Sequence, residues 1–160
     1  MVKAGEGKYV APEFNAAAYQ MWLEERSKDA KRGQKSRFFT VSREFGCDGF
    51  AVATKLRDLL NQRHGAKWLV FTHVMIAKLA EDEQLGAPLI HKVSESRYSF
   101  MNWFIDGLVP PYLQSVQSQV FTRMRTLILN LAEMGNCGIV GCGSQIVTGD
   151  LDPAKFGAIH

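Results

Sequence analysis

Residues 38–53 read Phe-Phe-Thr-Val-Ser-Arg-Glu-Phe-Gly-Cys-Asp-Gly-Phe-Ala-Val-Ala, and the pattern changes twice along this stretch. The segment from Phe38 to Ser42 is aromatic, β-branched and hydroxyl-bearing, which predicts a short buried strand. Gly46 and Gly49 then mark a turn, and apolar residues at helical spacing follow it up to Gly65, which is expected to be the C-cap of that helix. Because a strand leads through a glycine turn directly into a helix, the sequence predicts a parallel sheet covered by helices, with the Ser42–Gly49 loop joining a central strand to a helix N-terminus.

The remaining elements follow from the same kind of spacing. Further strands are predicted at 68–71 and 137–141, with one more candidate at 158–160, and further helices from Pro12, from Val74 and from Ser115 to Gly135. The basic residues between Arg26 and Arg37 predict a solvated helix end and linker rather than an anion-binding patch. Residues 81–111 show no clear pattern apart from an aromatic, helical run at 98–105.

Composition narrows the class of protein. The chain has 160 residues, is 46% hydrophobic and carries a net charge of +3, which fits one folded domain that binds small anions. The basic excess is too small to predict binding to a nucleic acid polymer, and no apolar run has the length of a membrane span. Three cysteines without metal-ligand spacing predict neither a disulfide framework nor a zinc site, so we expect a cytoplasmic protein.

Three stretches, taken together, resemble the cytidylate kinase-like family of P-loop proteins. The first is 38–53, where the family has a strand and loop close to Ile-Ser-Arg-Glu-Tyr-Gly-Ser-Gly-Gly. The second is 131–143, Leu-Ala-Glu-Met-Gly-Asn-Cys-Gly-Ile-Val-Gly-Cys-Gly, where the family strand runs into Val-Gly-Arg-Gly. The third is 71–76, where the family has Tyr-Asp before a helix. The resemblance spans about 37–160 and leaves 1–36 as an N-terminal helical extension.

The resemblance implies a three-layer P-loop NTPase-like fold with a doubly wound parallel sheet, ending before the lid of the family and therefore incomplete at its C-terminal side. It implies transfer of the ATP γ-phosphoryl group to a nucleoside monophosphate such as CMP, with Mg²⁺ as cofactor. The residues expected to bind ATP are Ser42, Arg43, Gly46, Cys47, Asp48 and Gly49, with Arg43 also catalytic. Those expected to face the acceptor are Thr72, Cys142, Gly143 and Ser144.

The chain departs from the family and from the general P-loop pattern at several of these positions. No Lys-Ser or Lys-Thr pair follows Gly46, and Asp48 puts a carboxylate where the family has glycine. Cys142 stands in place of the family arginine, and Thr72 in place of an aspartate. These departures, with the absent lid, favour an alternative: a catalytically inactive relative that binds a nucleotide or a protein partner. A plain strand-to-helix turn that binds nothing is the simplest alternative for the loop alone.

Two further expectations concern association and thiols. An exposed sheet edge and the aromatic run predict a homo-oligomer, with residues 98–104 as a candidate contact. Cys47 and Cys142 lie in loops that follow two strands, and we expect these strands to be neighbours in the sheet. The two thiols are therefore predicted either to lie close together at the ligand-binding edge of the sheet or to serve as small packing residues.

Overall fold

The computed structural model describes residues 13–32, 37–42, 48–90, 116–141, 143–149, 151 and 156–159. Side chains are described throughout these ranges except at 90, 116–121 and 156–159. The aromatic run at 98–105 lies outside them, as do Arg43, Gly46, Cys47 and Cys142.

Six helices and four strands form the described part of the chain. In order they are α1 (Ala16–Lys31), β1 (Phe38–Val41), α2 (Gly49–His64), β2 (Leu69–Thr72), α3 (His73–Glu81), α4 (Glu83–Ile90), α5 (Val116–Met134), β3 (Cys137–Val140), α6 (Ser144–Val147) and β4 (Phe156–Ile159). The helix α4 and the short helix α6 were not expected from the sequence. Pro88 lies inside α4, which explains why its pattern is hard to recognise.

The strands form one parallel sheet in the order β2-β3-β1-β4. Val41 lies opposite Val140 on one side and Ile159 on the other, and Thr72 also pairs with Val140. The predicted α/β class with a parallel sheet is therefore confirmed. The central position of the strand that begins at Phe38, and its pairing with the strand that begins at Cys137, are confirmed as well.

Side chains alternate between the two faces of this sheet because successive residues of a strand point in opposite directions. One face carries Phe38, Phe71 and Ile139 and packs on α1, α3, α4 and α5. The other carries Phe39, Val41 and neighbouring valines, and packs on α2 through Ala53 and half-buried leucines. Helices thus cover both faces, in three layers.

The N-terminal helix α1 belongs to the larger of these two clusters. Trp22 is buried and packs edge-on against Phe71, with ring centroids 5.2 Å apart. Its indole Nε1 donates a hydrogen bond of 2.9 Å to the backbone oxygen of Asn136, which lies just before β3. The expectation of a solvated basic helix end holds for the exposed Lys28 and Lys31. It fails for Arg26, which is buried and forms an ion pair with Asp29 on the next turn.

Helix α2 begins and ends at residues suited to those positions. Asp48 is its N-cap, and Gly65 ends it at a φ of 60°, a left-handed conformation that glycine adopts without strain. The predicted C-cap at Gly65 is confirmed. None of the helices in the described ranges has the length and hydropathy needed to cross a bilayer.

Candidate phosphate-binding rim

The carboxyl ends of β1, β2 and β3 lie side by side at one edge of the sheet. Val41, Thr72 and Val140 are in register, so the segments that follow them leave the sheet at the same level. We call this edge the rim, and define it by Ser42, Asp48, Gly49, Thr72, Gly141, Gly143, Ser144 and Gln145. In open parallel sheets, ligands bind outside the carboxyl ends of the strands.

At the rim, β1 leads to the N-terminus of α2. Ser42 directly follows β1, and Gly49 is the first residue of α2 and is buried. The two ends of the Ser42–Gly49 loop therefore confirm the predicted connection from a central strand to a helix N-terminus, while residues 43–47 lie outside the described part. Unpaired backbone N–H groups and the helix dipole make such a terminus attractive to anions.

One anion of the chain itself already lies at this helix terminus. The Oδ1 of Asp48 accepts a hydrogen bond of 3.0 Å from the backbone N–H of Ala51, while the side chain remains exposed. This carboxylate uses one of the first N–H groups of α2 and offsets part of the positive end of the dipole. It stabilises the helix, and it repels a second anion at the same place unless a cation lies between them.

The exit from β3 is shaped by two glycines with positive φ. Gly141 has a φ of 73° and Gly143 a φ of 61°, conformations that side chains with a Cβ rarely adopt. The backbone N–H of Gly141 donates a 2.9 Å hydrogen bond to the oxygen of Val41, which extends the pairing of β3 with β1 by one residue. The exits of the two strands are thus held together by the backbone.

Two polar residues at the start of α6 lie at this exit. Ser144 is fully buried, and its Oγ has no hydrogen-bond partner in the described structure. Gln145 donates from Nε2 to Oγ of Ser42 over 3.3 Å, while its buried Oε1 is without a partner there. Gln145 was missed by sequence reasoning. Its only signal was a polar residue two positions after Gly143, close behind a buried strand.

Thr72 has a local role that accounts for its position. It is buried and is the N-cap of α3, where its Oγ1 accepts a hydrogen bond of 3.4 Å from the N–H of Met75. The hydroxyl proton is still available as a donor, but a capping threonine requires no ligand to explain it.

The structure brings six of the predicted residues to one edge. They are Ser42, Asp48, Gly49, Thr72, Gly143 and Ser144. Arg43, Gly46, Cys47 and Cys142 lie outside the described residues, so their roles, and the proximity of the two thiols, stay predictions. The cysteine that is described, Cys137, is buried in β3, and its burial raises the pKa of its thiol.

Two other places offer less to a ligand. Within the described ranges, no group of three His, Cys, Asp or Glu side chains is arranged to hold a metal ion. A cavity beside α1 is lined by Glu24, Lys28 and Asp29 together with Lys67, which precedes β2 and so lies at the opposite edge of the sheet from the rim. Its charges of both signs select no class of ligand.

Comparisons with protein-family models, with curated proteins and with solved structures find no match to this chain.

Proposed function

We propose that the chain binds a nucleotide at the rim in the manner of the cytidylate kinase-like P-loop proteins that its sequence resembles. The observation that supports this most directly is the passage from the central strand β1 to the N-terminus of α2, with the β3 exit fastened beside it. In a P-loop fold these two strands are neighbours, and phosphate groups lie in the loop that follows the first of them.

The proposed roles follow from the chemistry of each residue. The hydroxyl of Ser42 and the first backbone N–H groups of α2 donate to phosphate oxygens of ATP. By resemblance, Gly46 shapes the loop and Arg43 supplies positive charge. Gly143 and Ser144, with the hydroxyl of Thr72, face the acceptor nucleotide. Mg²⁺, when bound, would neutralise charge on the phosphates, and among the described residues Asp48 could hold it; transfer of the γ-phosphoryl group from ATP to CMP would leave ADP and CDP.

The described residues fit a phosphate group with one exception, the carboxylate of Asp48. At about 6 Å and an effective dielectric constant of about 40, a like charge opposes each phosphate charge by about 1.4 kcal/mol. A magnesium ion bound between the two would remove this repulsion, since carboxylates and phosphates are ligands that Mg²⁺ prefers. We therefore propose the magnesium complex of ATP, rather than free ATP, as the ligand.

The position of Asp48 also favours a second candidate, a relative that binds a nucleotide without catalysing transfer. The general P-loop lysine is absent after Gly46, and the carboxylate lowers the positive potential at α2 further. Charge stabilisation of the transferring group supplies most of the catalysis in phosphoryl transfer. We therefore expect turnover well below about 1 s⁻¹ even when the nucleotide is bound.

Calorimetric titration with ATP, with and without Mg²⁺, and with CMP tests the proposal, together with an assay for ADP formed from ATP and CMP. Ser42→Ala removes a hydroxyl at the rim and should weaken binding of Mg²⁺-ATP by about 10-fold, as expected for a hydrogen bond to a charged group. Ser27→Ala on α1, whose Oγ donates to the oxygen of Leu23, is the matched control and should bind normally.

Each result has a distinct meaning. Binding of both nucleotides with CMP-dependent ADP formation supports the kinase. Binding without turnover supports the inactive relative. Failure to bind Mg²⁺-ATP or CMP at millimolar concentration refutes both forms of the proposal.

A further inference from the structure

Two arginines on α5 differ in how their charges are satisfied. Arg123 donates from Nη2 to Oε1 of Glu83 over 3.2 Å and from Nη1 to the backbone oxygen of Ala80 over 3.4 Å. Arg125 is half-buried, its Nε is shielded from solvent, and within the described ranges it has no hydrogen-bond or ion-pair partner. Because burying an unpaired polar group is costly, such a guanidinium calls for an explanation.

The helical spacing shows on which side of α5 Arg125 lies. Two residues along an α-helix correspond to a rotation of about 200°. Arg123 contacts α3 and α4, so Arg125 points to the other flank of α5. Helix α3 packs against β2, whereas α6 packs against both α5 and β1, on the other side of β3, so α6 lies toward the same flank of α5 as Arg125.

The helix rise shows at which level Arg125 lies. From Arg125 to the end of α5 at Met134, the helix advances about 13 Å. The chain then turns at Gly135 and Asn136, and β3 runs back for about 10 Å to Val140. Arg125 is thus level with the carboxyl end of β3, where the rim begins.

The neighbouring elements supply further unpartnered polar atoms but no counter-charge. Oγ of Ser144 and Oγ1 of Thr40 are buried on α6 and β1 without a hydrogen-bond partner in the described structure, and both residues are at most 1% exposed. The four residues of α6 and the four of β1 include no acidic side chain. The half-buried guanidinium and the two buried hydroxyl groups thus belong to elements that pack in series, α5 on α6 and α6 on β1, and the residues of α6 and β1 bring no carboxylate.

We propose that Arg125 is the cationic group of a phosphate-binding subsite at the corner between α5, α6 and β1. Guanidinium binds phosphate oxygens through paired hydrogen bonds, and serine and threonine hydroxyls add single donors. This subsite rests on the proposed function in one respect, namely that the rim receives a phosphorylated ligand. The loop after β1 ends in a carboxylate, that of Asp48, which lowers the positive potential there. Arg125 supplies positive charge from α5 instead.

Thermal unfolding with sodium pyrophosphate, against sodium chloride at equal ionic strength, tests the subsite with a probe that carries no nucleoside. Wild-type protein should be stabilised in proportion to the logarithm of pyrophosphate concentration once its Kd is exceeded. Arg125→Gln should bind pyrophosphate about 10- to 100-fold more weakly, as expected for losing a charged hydrogen-bond donor. Arg123→Gln is the matched control on the same helix and should retain the wild-type affinity.

The Tm of the ligand-free variant distinguishes the subsite from a structural role for Arg125. The subsite predicts no loss of Tm, whereas a structural role predicts a lower Tm. An unpaired buried donor contributes nothing to the folded state, so Arg125→Gln should leave the Tm of the ligand-free protein unchanged or raise it. A lower Tm in Arg125→Gln with the pyrophosphate response intact would overturn the subsite. If Arg125→Gln does not fold, Arg125→Lys keeps the charge and the aliphatic stem but loses the paired geometry, and its affinity should still fall.

The outcomes separate this inference from the nucleotide proposal. Unchanged pyrophosphate affinity in the Arg125 variants, or no response in the wild type, overturns the subsite and leaves nucleotide binding to be judged by its own titration. A pyrophosphate response that depends on Arg125, in a protein that binds neither ATP nor CMP, supports the subsite and refutes the nucleotide proposal.

Discussion

Replacing Asp48 with asparagine separates its two roles at the N-terminus of α2. In Asp48→Asn the side-chain amide oxygen can still accept the hydrogen bond that Ala51 donates over 3.0 Å, so the N-cap is retained. The negative charge is lost. Asp48→Ala removes both the cap and the charge, and it is the matched comparison for the effect on stability.

The expected magnitudes follow from the capping hydrogen bond and from the charge of the carboxylate. Losing the cap in Asp48→Ala should cost about 1 kcal/mol of folding free energy, whereas Asp48→Asn should change it little. A loss of about 1 kcal/mol corresponds to about 2–4 °C in Tm for a chain of this length. For a phosphate about 6 Å away at an effective dielectric constant of about 40, removing the carboxylate should strengthen binding of magnesium-free ATP at least 10-fold.

Adding magnesium makes the test more specific, because it should reverse the sign of the change in ATP affinity that Asp48→Asn causes. If Asp48 helps to hold a magnesium ion on the phosphates, Asp48→Asn should gain affinity for free ATP and lose affinity for Mg²⁺-ATP. Titration of each variant with ATP in excess EDTA and in excess Mg²⁺ measures both. Asp58→Asn, an exposed carboxylate further along α2 that pairs with Arg57, should change neither affinity. Equal affinities of wild type and Asp48→Asn for free ATP would refute the placement of a phosphate at this terminus.

Two further predictions concern stability. In Gly86→Ala the new Cβ would lie 2.5 Å from the backbone oxygen of Leu79, so α4 must shift away from α3. We expect urea unfolding to show a net loss of about 1–2 kcal/mol in the free energy of unfolding, despite the higher helix propensity of alanine. A gain in stability would contradict the close packing of the two helices. Gly149→Ala, whose Cβ would have no neighbour nearer than 3.4 Å, is the control. Burial raises the pKa of the Cys137 thiol and of the Tyr19 hydroxyl, so the unfolded chain loses these protons first as pH rises past their ordinary values of 9.0 and 10.0. The free energy of unfolding should therefore fall between about pH 9 and 11, and Cys137→Ala should make that fall shallower.

Much of the secondary structure could be predicted because it depends on neighbours in the chain. The apolar spacing of α5 and the run of Phe38 to Val41 record which side chains are buried on a helix face or within a sheet. Gly65 could be recognised as a C-cap because few residues other than glycine adopt a φ of 60° without strain. These features depend on the local sequence and not on how distant parts of the chain pack.

Parts of the site could not be predicted because they depend on contacts between residues that lie far apart in the chain. Gln145 belongs to the rim because its side chain reaches Ser42, a residue 103 positions earlier in the chain. Arg125 differs from Arg123 only in the tertiary structure, where Arg123 contacts Glu83 and Arg125 lies on the opposite flank of α5. No local pattern distinguishes either residue from an ordinary polar position on a helix.

The sequence by itself determined the class of fold, the passage from β1 to the N-terminus of α2 and the cap at Gly65, since each of these is set by residues within a few positions of one another. The tertiary structure alone decided the places of β2 and β4 in the sheet, the burial of Arg26 and the contact of Gln145 with Ser42. Pairing between strands far apart in the chain depends on which hydrophobic faces fit together when the whole core is assembled. That fit is a property of all the packed layers at once, and it brings Ser42, Ser144 and Gln145 to one edge of the sheet.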